Sequence, residues 1–141
     1  MEIKISHFTI ESYESVLDLW KQCEGVGLSD SDSKENIRLY LVRNPGLSLI
    51  AEHGDELAGV ILAGHDGRRG YLHHLAVSPD YRRQGIGRLL VNTCMEKLKK
   101  DEGILKCHIM LFNHNLSGLK FWESIGWEFR NDIAIVSSFI E

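Results

Sequence analysis

The segment from Leu75 to Arg88 constrains the fold of this chain more than any other. Its first three residues have the pattern of a strand end, and a polar loop with two glycines leads from them into an amphipathic helix. The first N–H groups of a helix can bind an anion, and glycine allows the backbone to approach that anion closely. Three arginines in the segment add charge suited to phosphate: Arg82, Arg83 and Arg88. The segment therefore predicts a strand–loop–helix unit that holds a pyrophosphate.

Several interpretations of this loop compete. A Walker loop requires Gly-Lys followed by Ser or Thr, and the chain contains no Gly-Lys pair. The dinucleotide fingerprint G-x-G-x-x-G has Leu90 in place of its third glycine. The remaining pattern is R-x-x-G-x-G, from Arg82 to Gly87. The alternative to a phosphate loop of any kind is an exposed basic turn that only caps the helix.

Length and composition indicate one domain, covering residues 1–141, with 43% hydrophobic and 26% charged residues. The net charge of −4 has the wrong sign for a general nucleic-acid binder. No apolar run approaches the ~18–20 residues needed to span a bilayer, and no signal peptide precedes the first strand. Three cysteines without C-x-x-C spacing argue against a disulfide framework or a zinc ribbon, and no H-x-x-x-H or H-E-x-x-H spacing indicates a metal. We therefore expect a cytoplasmic protein that binds neither nucleic acid, membrane nor metal.

Hydrophobic periodicity and turn residues predict an α/β layer with a mixed sheet. The predicted strands are Ile3–Ile5, Leu47–Glu52, Leu57–Ala63, Tyr71–Val77, Lys106–Leu111 and a closing pair, Trp127–Phe129 and Ile133–Phe139. One helix is capped by Ser12, and a second opens with a capping box of Asp32 and Glu35. The third begins at Ile86 and ends before Gly103, with Leu89 among its buried positions, and the fourth covers about Leu116–Ile125.

The R-x-x-G-x-G loop and this order of elements resemble the GCN5-related N-acetyltransferase (GNAT) superfamily, over nearly the whole chain. The segment Asn115–Trp127 is similar to the N-x-x-A-x-x-[FL]-Y-x-x-x-G-F segment of that family. The resemblance implies a mostly antiparallel central sheet flanked by about four helices. It also implies transfer of an acetyl group from acetyl-coenzyme A to a primary amine, by direct attack in a ternary complex.

Carried over position by position, the resemblance assigns the cofactor contacts. The backbone of Leu75, Ala76 and Val77 would bond the pantetheine arm and polarise the thioester carbonyl. Asn115 would bond the arm as well. The pyrophosphate would lie on the loop residues, which are Arg82, Arg83, Gln84, Gly85, Ile86, Gly87 and Arg88.

Two positions depart from the family pattern. The tyrosine usually taken as general acid is Trp122, whose indole N–H cannot supply a proton at neutral pH. The glutamate used as base by N-terminal acetyltransferases is Met110. On the fourth predicted strand, alternation places Tyr71 and His73 on one face and His74 on the other, against a helix. His73 is the candidate base, acting through water, because arylalkylamine acetyltransferases of this superfamily carry histidines at the positions of Tyr71 and His73, and a histidine suits proton transfer from an amine. The acid is Tyr71, a water molecule, or absent.

The sequence does not identify the acceptor amine, which is either a small molecule or a protein amine. The chain is expected to be a monomer or a homodimer. Because Trp122 replaces the usual acid, the alternative function is a degenerate acyl-coenzyme A-binding sensor or partner module without turnover.

Overall fold

The computed structural model describes residues 2–141, which form two compact units. The first unit covers residues 2–110 and contains a five-stranded sheet in the order β1-β2-β3-β4-β5. Its strands are β1 (Lys4–His7), β2 (Leu49–His53), β3 (Glu56–His65), β4 (Gly70–Val77) and β5 (Cys107–Ile109). Its helices are α1 (Tyr13–Gln22), α2 (Lys34–Arg43) and α3 (Ile86–Lys100). The second unit, residues 111–141, contains α4 (Leu116–Ser124).

Strands β1 to β4 pair antiparallel in chain order, with α1 and α2 between β1 and β2, and among the described strands only β5 runs parallel to its neighbour, β4. A tight turn joins β2 to β3, where His53 pairs with Glu56. Antiparallel neighbours need only short turns, whereas parallel neighbours need a long crossover, which α3 supplies between β4 and β5. The sequence prediction of a mixed, mostly antiparallel sheet with about four helices is confirmed.

The two faces of the sheet are covered by different helices. On one face, α1 and α2 pack through a buried cluster that includes Trp20, Ile37 and Val60. Gly59, next to Val60 on β3, faces the opposite side, because strand side chains alternate. A Cβ added to Gly59 would lie 3.1–3.2 Å from atoms of Leu90 and Ile86, so glycine here allows α3 to approach β3 closely. The beginning of α3 is thereby fixed against the middle of the sheet.

Two details of the helices differ from the sequence prediction. Asp32 does not open α2: a short 3₁₀ turn, Asp30–Asp32, intervenes, and α2 is capped by Ser33, whose Oγ accepts from the Asn36 N–H. Asp32 instead closes a capping box with Ser29, one turn earlier. Leu89 is 43% exposed, because the buried stripe of α3 passes through Leu90 instead.

The predicted closing strands, 127–129 and 133–139, do not form in the second unit. Residues 127–141 carry no strand, and Val136 and Phe139 are each 95% exposed. Alternation of β-branched and aromatic residues predicts which side of a strand is apolar, but it does not supply the hydrogen-bonded neighbour that defines a strand. Between residues 2 and 141, no helix has the length and apolar character to cross a membrane.

Candidate active site

The loop between β4 and α3 has the backbone shape of an anion cradle. It begins with a 3₁₀ turn, Pro79–Tyr81, and then takes left-handed backbone angles at Arg83 (φ 62°) and Gly85 (φ 80°). Where residues with left-handed backbone angles alternate with residues of negative φ, successive N–H groups point toward one position. Such concave arrangements bind anions. Gly85 adopts this conformation without strain, because it has no Cβ.

The first turn of α3 adds further donors to the same place. The first helical bond runs from the Leu89 N–H to the Gly85 carbonyl, at 3.0 Å. The N–H groups of Ile86, Gly87 and Arg88 therefore precede the helical ladder and are available to an anion. The positive end of the helix dipole lies here as well. This arrangement confirms the strand–loop–helix unit that the sequence predicts.

The loop arginines are exposed, and they play different structural roles. Arg82 folds back on the end of β4, where its Nε donates to the Val77 carbonyl at 3.1 Å. Its Nη2 lies 3.7 Å from the sulfur of Cys23. Arg83 and Arg88 extend into solvent beside the first turn of α3. Both charges are therefore exposed in the segment that forms the cradle.

Tyr81 anchors the loop to the β2–β3 hairpin, a link that the sequence analysis missed. Its ring is 7% exposed, and its hydroxyl donates to Glu56 Oε2 at 3.2 Å. The hydroxyl oxygen of Tyr81 also lies 3.1 Å from His53 Nδ1. Desolvation and the adjacent Glu56 carboxylate raise the pKa of Tyr81. Because these partners are at least 25 residues apart in the chain, no local pattern could have indicated them.

The end of β4 has one unpaired edge. Pairing with β5 covers Gly70–Leu72. Among the described residues, no strand therefore pairs with residues 73–77 of β4 on that side. The Ser78 N–H donates to the Ala58 carbonyl at 2.8 Å. Since hydrogen-bonded and non-hydrogen-bonded pairs alternate in an antiparallel ladder, Ala76 faces β3 and Val77 faces the free edge. An extended ligand can therefore bond the backbone of Val77 as an added strand would.

A β-bulge at His74 precedes this edge and corrects the prediction for that residue. The register against β3 shifts by one between Val60 and Leu62, and His74 takes a left-handed angle, φ 50°. The extra residue breaks the strict alternation of side chains. His74 therefore lies on the same side as His73 and not on the opposite face, with their ring centroids 6.5 Å apart. Its predicted packing against a helix is confirmed, because its ring lies 5.1 Å from that of Trp20 on α1.

The two candidate catalytic side chains lie together on β4. The rings of Tyr71 and His73 are nearly parallel, with centroids 6.4 Å apart. Tyr40 of α2 packs edge-on against His73 at 6.2 Å, and His108 of β5 lies 5.8 Å from Tyr71. Burial lowers the pKa of His73, and the neighbouring His74 lowers it further. The imidazole of His73 is therefore neutral at pH 7 and able to accept a proton.

Cys94 is buried and Cys107 is half-buried, and neither thiol is suited to nucleophilic chemistry. Burial raises the pKa of Cys94 to about 12 and that of Cys107 to about 11, so both are thiols at neutral pH. Cys94 donates to the Leu47 carbonyl, which confirms its place in the core. Among residues 2–141, no three His, Cys, Asp or Glu side chains are grouped to hold a metal ion.

Comparison with known proteins identifies the family. The model of the acetyltransferase (GNAT) family matches residues 13–127. The chain belongs to this family. It is 32% identical over 141 residues to the acetyltransferase ECA0875 of Pectobacterium atrosepticum, covering 100% of this chain and 97% of that protein. It is 31% identical over 136 residues to the acetyltransferase SG1711 of Sodalis glossinidius, covering 96% of this chain and 93% of that protein.

Among solved structures, a PaiA N-acetyltransferase from Thermoplasma acidophilum is similar in fold. The TM-score is 0.77 with 26% identity, covering 92% of each chain, and that enzyme was crystallised in complex with coenzyme A. This chain is therefore an N-acetyltransferase of the GNAT type, as the sequence predicts.

In this acetyltransferase the family's asparagine and tyrosine positions both fall in the second unit. Asn115 is the N-cap of α4, where its Oδ1 accepts from the Gly118 N–H at 2.9 Å. Trp122 is 4% exposed, and its ring lies 4.6 Å from that of Trp127. The indole of Trp122 is thus a packing group within its own unit. Met110, at the other departing position, is 53% exposed.

Proposed function

We propose that this acetyltransferase uses acetyl-coenzyme A as donor and a primary amine as acceptor. The observation that carries the proposal is the anion cradle at residues 83–88 next to the unpaired end of β4. A pyrophosphate needs several convergent N–H groups and positive charge, and a pantetheine arm carries amides that can bond a strand edge. The chain places these two kinds of donor on consecutive segments, which fits the two halves of coenzyme A.

The proposed cofactor contacts are those of the sequence analysis. The N–H groups of Gln84–Arg88 and the side chains of Arg83 and Arg88 would hold the pyrophosphate. Arg82 also has a structural role, since its Nε donates to the Val77 carbonyl and fixes the end of β4. Within Leu75–Val77, the N–H of Val77 faces the free edge and is the donor best placed to polarise the thioester carbonyl. Asn115 retains Nδ2 as a donor while its Oδ1 caps α4.

Acetyl transfer in this proposal is a direct attack of the neutral amine on the thioester carbon. A backbone donor aimed at the carbonyl oxygen stabilises the negative charge that develops there, often the largest catalytic effect. Holding both substrates in one ternary complex removes much of the entropic barrier. The C–N bond forms as the C–S bond breaks, and the amine loses one proton while the thiolate gains one.

His73 would accept the amine proton through a water molecule. Its lowered pKa keeps it unprotonated at pH 7, which is the form a general base requires. Tyr71, stacked on His73, would supply the proton for the departing thiolate, either directly or through water. Trp122 takes no part, because its N–H is not acidic and its ring is buried.

The family match also supports one N-acetyltransferase domain over residues 1–141, since residues 13–127 extend across both compact units. The chain in this proposal acts in the cytoplasm as a monomer or homodimer, and its acceptor is a small-molecule or protein amine.

The test is thiol release from acetyl-coenzyme A with a panel of amines at several pH values. The panel contains polyamines, aminoglycosides, amino acids, lysine peptides and peptides with free N-termini. We expect at least one amine to raise thiol release well above the rate without acceptor, with one acetylated product per thiol by mass spectrometry. Tight coenzyme A binding with no release for any amine would instead favour the degenerate binding module.

A further inference from the structure

We propose that Asp32, His74 and Trp20 form a clamp that holds the bulge of β4 in the conformation needed for acetyl transfer. The inference rests on the proposed function, because it concerns how the strand presents the Val77 N–H to the thioester. None of the three residues belongs to the cofactor contacts or to the His73–Tyr71 pair. They are positioning residues, acting through the backbone of β4.

The clamp holds His74 through two separate bonds. Its imidazole Nε2 lies 2.9 Å from Asp32 Oδ1, and its backbone carbonyl accepts from Trp20 Nε1 at 3.1 Å. The bond to Trp20 directs this carbonyl toward α1, which packs on one face of the sheet. The peptide that joins His74 to Leu75 is therefore turned out of the sheet, in keeping with the left-handed angle of His74.

The partners of His74 are themselves rigidly held. Asp32 is a buried carboxylate, and its second oxygen, Oδ2, accepts from the Ser29 N–H at 3.0 Å. The Asp32 carbonyl accepts from the hydroxyl of Tyr13 at 2.6 Å. Trp20 has 0% exposure and packs edge-on against Phe8. The clamp therefore ties the bulge to α1 and to the turn before α2.

Such a clamp is needed because a left-handed angle is unfavourable for histidine. Residues with a Cβ rarely adopt it unless the surrounding structure imposes it. A bulge bends its strand and redirects the residues that follow. Here those residues are Leu75–Val77, the segment that leaves β5 and presents its free edge. If the clamp is released, His74 can return to an extended angle and the Val77 N–H changes direction.

The test separates thioester activation from acceptor recognition and from proton transfer. Hydroxylamine serves as the nucleophile, because it is small and largely unprotonated at pH 7, and it converts acetyl-coenzyme A to acetohydroxamate and free thiol. For each variant, kcat and KM for acetyl-coenzyme A are measured by thiol release, and coenzyme A affinity by calorimetry. Free coenzyme A has no thioester carbonyl, so its affinity does not include the bond to the Val77 N–H that the clamp is proposed to position.

His74→Ala and Trp20→Phe should each lower kcat by about 10- to 100-fold, since displacing an oxyanion donor costs less than the 10²–10³-fold of deleting one. Their coenzyme A affinity should stay within about twofold of the wild type. His74→Gln should recover most of kcat, because its amide Nε2 can take the place of the imidazole Nε2 and donate to Asp32. Cys94→Ala is the control: it reduces packing in the core on the opposite face of the sheet, where Cys94 is buried on α3, and its kcat should be unchanged.

Several results would overturn the clamp. An unchanged kcat in folded His74→Ala would do so, as would a loss in Cys94→Ala as large as that in Trp20→Phe. If folded His74→Gln is as inactive as His74→Ala, the imidazole itself is required and the positioning role is wrong. Should Trp20→Phe not fold, the His74 pair decides alone. Failure of the wild type to bind coenzyme A would instead overturn the proposed function.

Discussion

At the scale of single residues, the environment of His73 should determine the pH dependence of catalysis in the proposed mechanism. Burial and the neighbouring His74 lower the pKa of His73 below its ordinary value of 6.5. The base is active when unprotonated, so kcat/KM for the best acceptor, calculated on the concentration of the neutral amine, should fall only as the pH drops below 6.5. His73→Ala should lower kcat/KM by ~10²-fold or more and remove that acidic limb. His7→Ala, at an exposed histidine of β1, should leave the profile unchanged. An acidic limb that persists in His73→Ala would assign it to another group.

At the same scale, the proposed contact with coenzyme A would give Asn115 a second function beside its N-cap. As N-cap of α4, its oxygen stabilises the helix, so Asn115→Ala loses ~1 kcal/mol of cap energy whether or not the residue binds coenzyme A. Asn115→Asp keeps a capping oxygen and replaces the amide donor with a negatively charged oxygen. We expect the aspartate variant to weaken coenzyme A binding by roughly 1–2 kcal/mol in calorimetry, the cost of an unpaired polar group. Its thermal stability should equal that of the wild type. Unchanged affinity in Asn115→Asp would exclude an amide contact with the pantetheine arm.

At the scale of elements, the two ends of α3 offer a matched pair of glycines. Gly85 before the helix and Gly103 after it both have left-handed angles, φ 80° and 68°, and open space around the position of a Cβ. Valine should therefore strain the backbone by a similar amount at either site, on the order of 1–2 kcal/mol. Only Gly85→Val should abolish coenzyme A binding in calorimetry, because it alters the anion cradle. Equal loss of affinity in Gly103→Val would attribute the effect to general destabilisation of α3.

The same element scale shows what the sequence could and could not predict. The strand–loop–helix unit at residues 75–88 was predictable because all of its signals are local: an apolar strand end, two glycines and a basic loop. The bulge at His74 was not, because one left-handed residue leaves no trace in a hydrophobic pattern. The closing strands at 127–139 were predicted wrongly. Their alternation of apolar and polar residues is present, but among the described residues no strand pairs with them. The Tyr81 anchor depends on residues brought together only by the folded sheet.

At the scale of the whole molecule, coenzyme A binding should report whether the two compact units unfold together. The pyrophosphate loop lies entirely within residues 2–110, whereas the family match continues to residue 127. If residues 1–141 are one domain, calorimetry should show a single transition whose calorimetric and van't Hoff enthalpies agree. Coenzyme A at 100 times its Kd adds about 2.7 kcal/mol to the free energy of unfolding. For 141 residues this should raise the whole transition by roughly 9 °C, and Gly85→Val should show no rise. If calorimetry instead shows two transitions and coenzyme A raises the midpoint temperature of only one, residues 111–141 unfold independently of the cofactor loop.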